Sequence, residues 1–182
     1  MTEHADVARP TRYFLALRPD EPARERLAGL CQPSDVRCIL AADLHLTLAF
    51  LGDLRGPSAA SLMERLAPVC RQGPVDVVLD RLEAWRGPRA FCALGELPEI
   101  TGLVDALWRE LAAVGYVRDT RPFRPHVTLA RNLPAATCRL QPRPIVPPVC
   151  WTAVDLWLLA SRPDGGAAGQ ARYGVQAVLP LV

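Results

Sequence analysis

The chain predicts an α+β fold of two similar lobes that face each other across a groove. Three observations carry this. The tetrad His45-Leu46-Thr47-Leu48 recurs as His126-Val127-Thr128-Leu129, a spacing of 81 residues. Each tetrad lies in an apolar, strand-like run, 44–51 for the first and 125–130 for the second. Each run follows the same order of patterns, a strand and then a helix, so the chain reads as a weak internal duplication. With 182 residues, half of them apolar, one domain with a real core is feasible.

The elements follow in order. A strand is predicted at Tyr13–Leu17. Asp20 can cap a first helix running to about Cys31, with Pro22 in its first turn and Ala23, Leu27 and Leu30 facing inward. A short strand at 38–40 leads into the first tetrad. Gly52, Gly56 and Pro57 then punctuate the chain. A second helix from about Pro57 carries Leu62, Met63, Leu66 and Val69, and Pro68 distorts or ends it. Residues 75–82 and 90–97 read as two strands joined by a turn at Arg86-Gly87-Pro88. Ile100, Leu103, Val104, Leu107, Trp108 and Leu111 give the best helical spacing in the chain, and Gly115 can end that helix. After the second tetrad, 133–148 contains five prolines and is expected to be a loop. Residues 151–160 and 173–181 are the last strands, with a glycine-rich hairpin or rim loop at 165–169 between them. Residues 1–10 are expected to be a disordered tail, and 11–182 a single domain.

The tetrads carry the chemistry. In a strand, residues two apart share a face, so each tetrad presents an imidazole and a hydroxyl side by side. Two such pairs make a cleft with two proton-transfer groups and two hydrogen-bond donors. Only three histidines and eight threonines occur in the chain. Two of the three histidines gaining a threonine at that position by accident is roughly a one-in-a-hundred event. His4 lies in the tail and plays no part in this reading.

Composition narrows the classes. The net charge of +2 does not by itself indicate nucleic acid. All 21 basic residues are Arg, whose planar fork suits phosphate, although genome coding bias also produces such a shift. The absence of Lys excludes a lysyl-adenylate ligase, a Schiff-base enzyme and a P-loop lysine. Cys31, Cys38, Cys70, Cys92, Cys138 and Cys150 form no C-x-x-C pair and read as free, mostly buried thiols of a cytoplasmic protein. No signal peptide is apparent, and no apolar run approaches a membrane span.

The stretches Leu44 to Gly52 (LHLTLAFLG) and Arg121 to Arg131 (RPFRPHVTLAR) resemble the 2H phosphoesterase superfamily. Within it, they are most similar to the bacterial and archaeal RNA 2′,3′-cyclic phosphodiesterases, also called 2′-5′ RNA ligases. Weaker support comes from Arg12 to Leu17, Ser161-Arg162 and Arg172-Tyr173. The resemblance implies two antiparallel sheets related by a pseudo-twofold, with helices outside. It implies hydrolysis of RNA 2′,3′-cyclic phosphate ends, tRNA fragments among them, to 2′-phosphomonoesters. It makes His45 the proton donor and His126 the acceptor. Thr47 and Thr128 would donate to the phosphoryl oxygens, and no metal or cofactor is needed. It also suggests that Phe50 stacks a base, that Arg131 holds phosphate, and that Arg124 and Tyr173 contact substrate. Simple strand alternation puts Phe50 opposite His45 and Arg131 opposite His126, so their contact requires a bulge or bend.

Reversal of the reaction by a 5′-hydroxyl would give ATP-independent 2′-5′ ligation, with hydrolysis dominant because water is abundant. The protein is expected to act as a monomer without an obligate partner. The rival readings are a metal hydrolase using Asp43 or Asp53, a phosphodiesterase acting on a small cyclic nucleotide or cyclic phosphate, and a non-catalytic RNA- or nucleotide-binding module. His-x-Thr lacks the usual ligand spacing, which counts against the metal site. Binding alone needs no acid–base pair, which counts against the module.

Overall fold

Strands with β-branched and aliphatic residues alternate with three α-helices among the described residues. The computed structural model describes residues 11–31, 36–54, 58–162 and 170–182. Strands are β1 Tyr13–Leu17, β2 Arg37–Cys38, β3 Leu46–Gly52, β4 Val75–Trp85, β5 Ala90–Leu94, β6 His126–Arg131, β7 Arg143–Ala153, β8 Asp155–Ser161 and β9 Tyr173–Pro180. Helices are α1 Glu21–Gly29, α2 Ala59–Leu66 and α3 Pro98–Ala112. The tail at 1–10 and the glycine-rich stretch lie outside the described residues.

The helix starts follow from capping. The Asp20 carboxylate accepts the Ala23 N–H at 2.9 Å, and Pro22 sits in the first turn of α1. Ser58 caps α2 at the Ser61 N–H. Pro68 follows the end of α2, and the chain continues as a short 3-10 turn at Val69–Gln72. In α3 the predicted stripe is buried in full, and Gly115 takes a φ of 88° just past its end. Burial of Ile100, Leu103, Val104, Leu107 and Leu111 contributes roughly 1.5–3 kcal/mol each.

All strand pairs are antiparallel. The order across the sheet is β7-β4-β5-β6-β3-β1-β8-β9, with β2 beside β6. Two sheets were implied by the resemblance. Here the two four-stranded halves join edge to edge through one pair, Leu46 with Val127, and form a single nine-stranded sheet. That pair consists of the residue after each tetrad histidine, so the seam between the lobes runs through the tetrads.

The two faces of the sheet differ. Leu15, Leu17, Phe91 and Ala93 point into the main core with α1, α2 and α3. Phe14 and Ala16 of β1, with Leu159, form a small apolar cluster on the other face. Ala90, Cys92 and Leu94 of β5 form its counterpart. These two patches floor the groove.

Three expectations are corrected. The proline-rich stretch is only partly loop, because Arg143–Ala153 is a strand despite Pro144, Pro147 and Pro148. It is the outermost strand of its half, where a missing N–H goes unnoticed. The strand expected at 151–160 is split at Val154 between β7 and β8. Cys31 and Cys38 are joined in a disulfide, not free, which ties β2 to the end of α1. Cys70, Cys92, Cys138 and Cys150 are free thiols.

Candidate active site

His45 sits between a 3-10 turn at Ala41–Asp43 and the start of β3. Its Nδ1 lies 2.6 Å from the Asp43 carbonyl oxygen. His126 opens β6, with Nδ1 2.7 Å from the Arg124 carbonyl oxygen. A carbonyl can only accept, so both rings carry hydrogen on Nδ1 and keep Nε2 for the groove. The same contact, two residues upstream, is made at both positions.

Each ring is also held by aromatic neighbours. Phe14 packs on His45 at 4.9 Å between centroids, and Tyr173 meets it edge-on at 5.1 Å. Trp85 packs on His126 at 4.5 Å. The Arg124 guanidinium lies 4.8 Å from the Trp85 ring. Glu83 ties this side together, accepting from Trp85 Nε1 at 3.0 Å, Arg124 Nη2 at 2.8 Å and Arg81 Nε at 3.2 Å. Burial opposes ionisation of Glu83, but these donors win and hold its carboxyl below its ordinary value.

Both tetrads end in a bulge. In β3, Ala16 pairs with Thr47 and Leu15 with Ala49, leaving Leu48 as the extra residue. In β6, Cys92 pairs with Thr128 and Phe91 with Ala130, leaving Leu129 extra. An extra residue reverses the alternation downstream of it. Phe50 therefore pairs with groove-facing Phe14, and Arg131 with groove-facing Ala90. Alternation alone puts these side chains on the wrong face, and the bulges return them to the groove. Phe50 is 67% exposed there. Arg131 is exposed, and its positive charge acts on both histidines.

Thr47 and Thr128 are half-buried beside the imidazoles. Thr128 hydrogen-bonds with the Cys92 thiol, which burial pushes up to about 12 and so keeps uncharged. Arg121 pairs with Asp119 on an exposed loop, away from this cluster. Ser161 is structural, because its hydroxyl accepts the Arg12 N–H at 2.9 Å at the β1–β8 edge. Glu83 and Trp85 are site residues that sequence reasoning missed, and Asp43, weighed there only as a metal ligand, instead holds His45 through its carbonyl and β9 through its carboxylate. Only the position of Asp43, two before a tetrad histidine, offered a signal. Among the described residues no group of three His, Cys, Asp or Glu side chains is gathered to hold a metal ion.

Both imidazoles titrate below the ordinary histidine value. His45 is lowered to about 4, chiefly by burial, with the Asp43 carbonyl bond opposing this and Arg131 adding to it. His126 is lowered too, again chiefly by burial, with Arg131 and Arg124 adding to it. A folded-state value of about 4 against an unfolded 6.5 makes the neutral ring the stabilising form. Stability conferred above pH 6.5 is lost as pH falls toward 4, by about 3 kcal/mol. His45→Gln is expected to flatten the fall in denaturation midpoint between pH 6.5 and 4. An unchanged slope would show that His45 is not the group involved.

The sequence profile of the 2′-5′ RNA ligase superfamily matches residues 18–165. A protein of Archaeoglobus fulgidus named RNA 2′,3′-cyclic phosphodiesterase is 30% identical over 128 residues, 66% of this chain and 72% of that protein. One of the same name from Escherichia coli K12 is 31% identical over 132 residues, 69% of this chain and 74% of that protein. The crystal structure of Escherichia coli LigT complexed with 3′-AMP superimposes with a TM-score of 0.75 at 25% identity, covering 94% of this chain and 98% of that one. A crystal structure described as a phosphoesterase gives the same TM-score at 26% identity and the same coverage. Among the described residues no helix is long and apolar enough to cross a membrane. The profile match takes in both tetrads and most of the sheet that joins them, and the chain belongs to the 2′-5′ RNA ligase superfamily.

Proposed function

We propose that this protein hydrolyses RNA 2′,3′-cyclic phosphate ends to 2′-phosphomonoesters, with its two imidazoles as acid and base. The observation that carries this reading is the matched pair of histidines, each with Nδ1 committed to a carbonyl and Nε2 left for the groove. His126 Nε2 takes a proton from water as the water oxygen bonds to phosphorus. The phosphorus–O3′ bond breaks, and His45 Nε2 gives its proton to that oxygen. Thr47, Thr128 and the Arg131 guanidinium hold the non-bridging oxygens. Phe50 offers a ring face to a base, and Tyr173 holds the far edge of His45.

His45 lacks a proton near neutrality in the empty groove. The anionic phosphodiester supplies the charge that favours its protonated form. The reverse reaction, with a 5′-hydroxyl in place of water, gives a weak 2′-5′ ligation that uses no ATP. The protein acts as a monomer in the cytoplasm without cofactor. The names of the two phosphodiesterase relatives support the RNA-end substrate.

The test is incubation of a 2′,3′-cyclic-phosphate-ended oligonucleotide with the protein in EDTA, followed by identification of the end. A 2′-phosphate is expected. A 3′-phosphate would reverse the leaving oxygen, and dependence on added metal would overturn the two-histidine chemistry. No turnover on RNA with rapid turnover of a nucleoside 2′,3′-cyclic phosphate would move the substrate to small cyclic nucleotides. Because both histidines titrate below 6.5, kcat/KM against pH is expected to peak below 6.5. A peak at pH 8 would contradict the assignment of these rings as the titrating pair.

A further inference from the structure

The two halves of the groove match in geometry and differ in charge. Each histidine bonds to the carbonyl of the residue two positions before it. On one side that residue is Asp43, and on the other it is Arg124. Asp43 is 3% exposed, the sole buried charged residue among those described. Its carboxylate accepts the Arg172 N–H at 2.9 and 3.0 Å and the Tyr173 N–H at 3.4 Å. Asp43 thus fixes the entry to β9, where the Tyr173 ring meets His45. Arg124 fixes the other side by lying over Trp85, which packs on His126.

Resting on the acid–base reading above, we propose that Asp43 and Arg124 are positioning residues that divide the proton roles. The buried negative charge behind His45 favours a proton there. The positive charge behind His126 disfavours one, leaving that ring free to accept from water. Burial lowers both rings, His45 to about 4, and the opposite charges act on top of that by pulling a proton toward His45 and away from His126.

The remaining charges do not cancel this difference. Arg131 of β6 acts on both rings in the same sense. His126 faces His45 across the seam, and Tyr173 and Arg172 border His45 from β9. Arg18, beyond β1, donates to the Ala42 carbonyl at 2.9 Å beside Asp43. On the His126 side, Glu83 of β4 pairs with Arg81 and Arg124, and Arg81 also pairs with Asp80, so the cluster balances overall and Arg124 is its charge that acts on His126. Cys92 of β5 is uncharged. The direction of each interaction agrees, with the Asp43 charge raising His45 and the Arg124 charge lowering His126.

The test is imidazole NMR, which is simple in a chain with three histidines. In Asp43→Asn the His45 midpoint is expected to fall by about 0.5 pH unit or more, with His126 unmoved. In Arg124→Gln the His126 midpoint is expected to rise by a similar amount, with His45 unmoved, and Arg124→Glu is expected to raise it further. The kcat/KM profile is expected to move only at the limb that follows the affected ring, and its maximum to fall about 3-fold in each single variant. Midpoints unmoved, both rings moving together, or a lower rate with neither limb displaced would overturn the proposal. The exposed Arg124 variants decide it for His126 even if Asp43→Asn does not fold. The NMR midpoints need no turnover, so an inactive wild type would refute the proposed reaction while still deciding the electrostatics.

Discussion

His126→Ala is expected to lower turnover of a 2′,3′-cyclic-phosphate-ended oligonucleotide by roughly 10²–10⁴-fold, and His45→Ala by a similar factor. Each removes the group that moves a proton at one side of phosphorus. The rings serve one in-line step, so the double variant is expected to cost little more than either single one. The fold is expected to survive, because both side chains are half-buried at the groove and neither belongs to the main core. Single-turnover rates at saturating substrate, with near-ultraviolet circular dichroism as the folding control, make the measurement. A His45→Ala protein with the wild-type rate would end the two-histidine mechanism. A loss confined to KM would make the groove a binding site that does no proton transfer.

The tetrads were legible because strand alternation is a local rule, and the repeat made coincidence a poor explanation. The seam at Leu46 and Val127 follows the same logic, since it pairs the apolar residue of one tetrad with that of the other. Phe50 and Arg131 were harder. Their sequence positions are matched, each five residues after its histidine, yet alternation sends both to the core. A one-residue bulge at Leu48 and another at Leu129 reverse the phase, and nothing in LTLAF or VTLAR marks the extra residue. Trp85 and Glu83 lie about 40 residues from His126 and reach it only because β4 and β6 flank β5. Their role depends on register, which the sequence does not spell out. The part of β7 before Trp151 was missed because proline content reads as loop until the strand is known to be an edge. The Cys31–Cys38 disulfide depends likewise on where β2 docks relative to α1, which spacing alone leaves open.

Gly95→Ala is expected to destabilise the protein by about 3 kcal/mol or more, at the upper end for an overpacked site. Gly95 directly follows β5, where the neighbouring Leu94 pairs with His126. A Cβ at Gly95 would lie 1.9 Å from the Val78 carbonyl oxygen and 3.0 Å from its carbon. Both are backbone atoms, so no side-chain rotation relieves the clash. Val78 cannot easily move either, because β4 is paired with β7 from Val75 to Leu79 and with β5 from Arg81 to Trp85. Relief must come from shifting β4 or the β5–α3 connection, and each shift disturbs a paired strand beside the groove. For a chain of this length the expected fall in Tm is roughly 6–12 °C. Gly102→Ala supplies the opposing case. Gly102 lies within α3, and a Cβ there would meet nothing within 4 Å, so alanine is expected to stabilise by about 0.5–1 kcal/mol. The same substitution is therefore expected to move Tm in opposite directions at two sites seven residues apart. A Gly95→Ala protein that melts with the wild type would mean that β4 yields freely at Val78. The strand carrying Glu83 and Trp85 would then be a poor brace for His126, and its ring would have to be held by the Arg124 carbonyl alone.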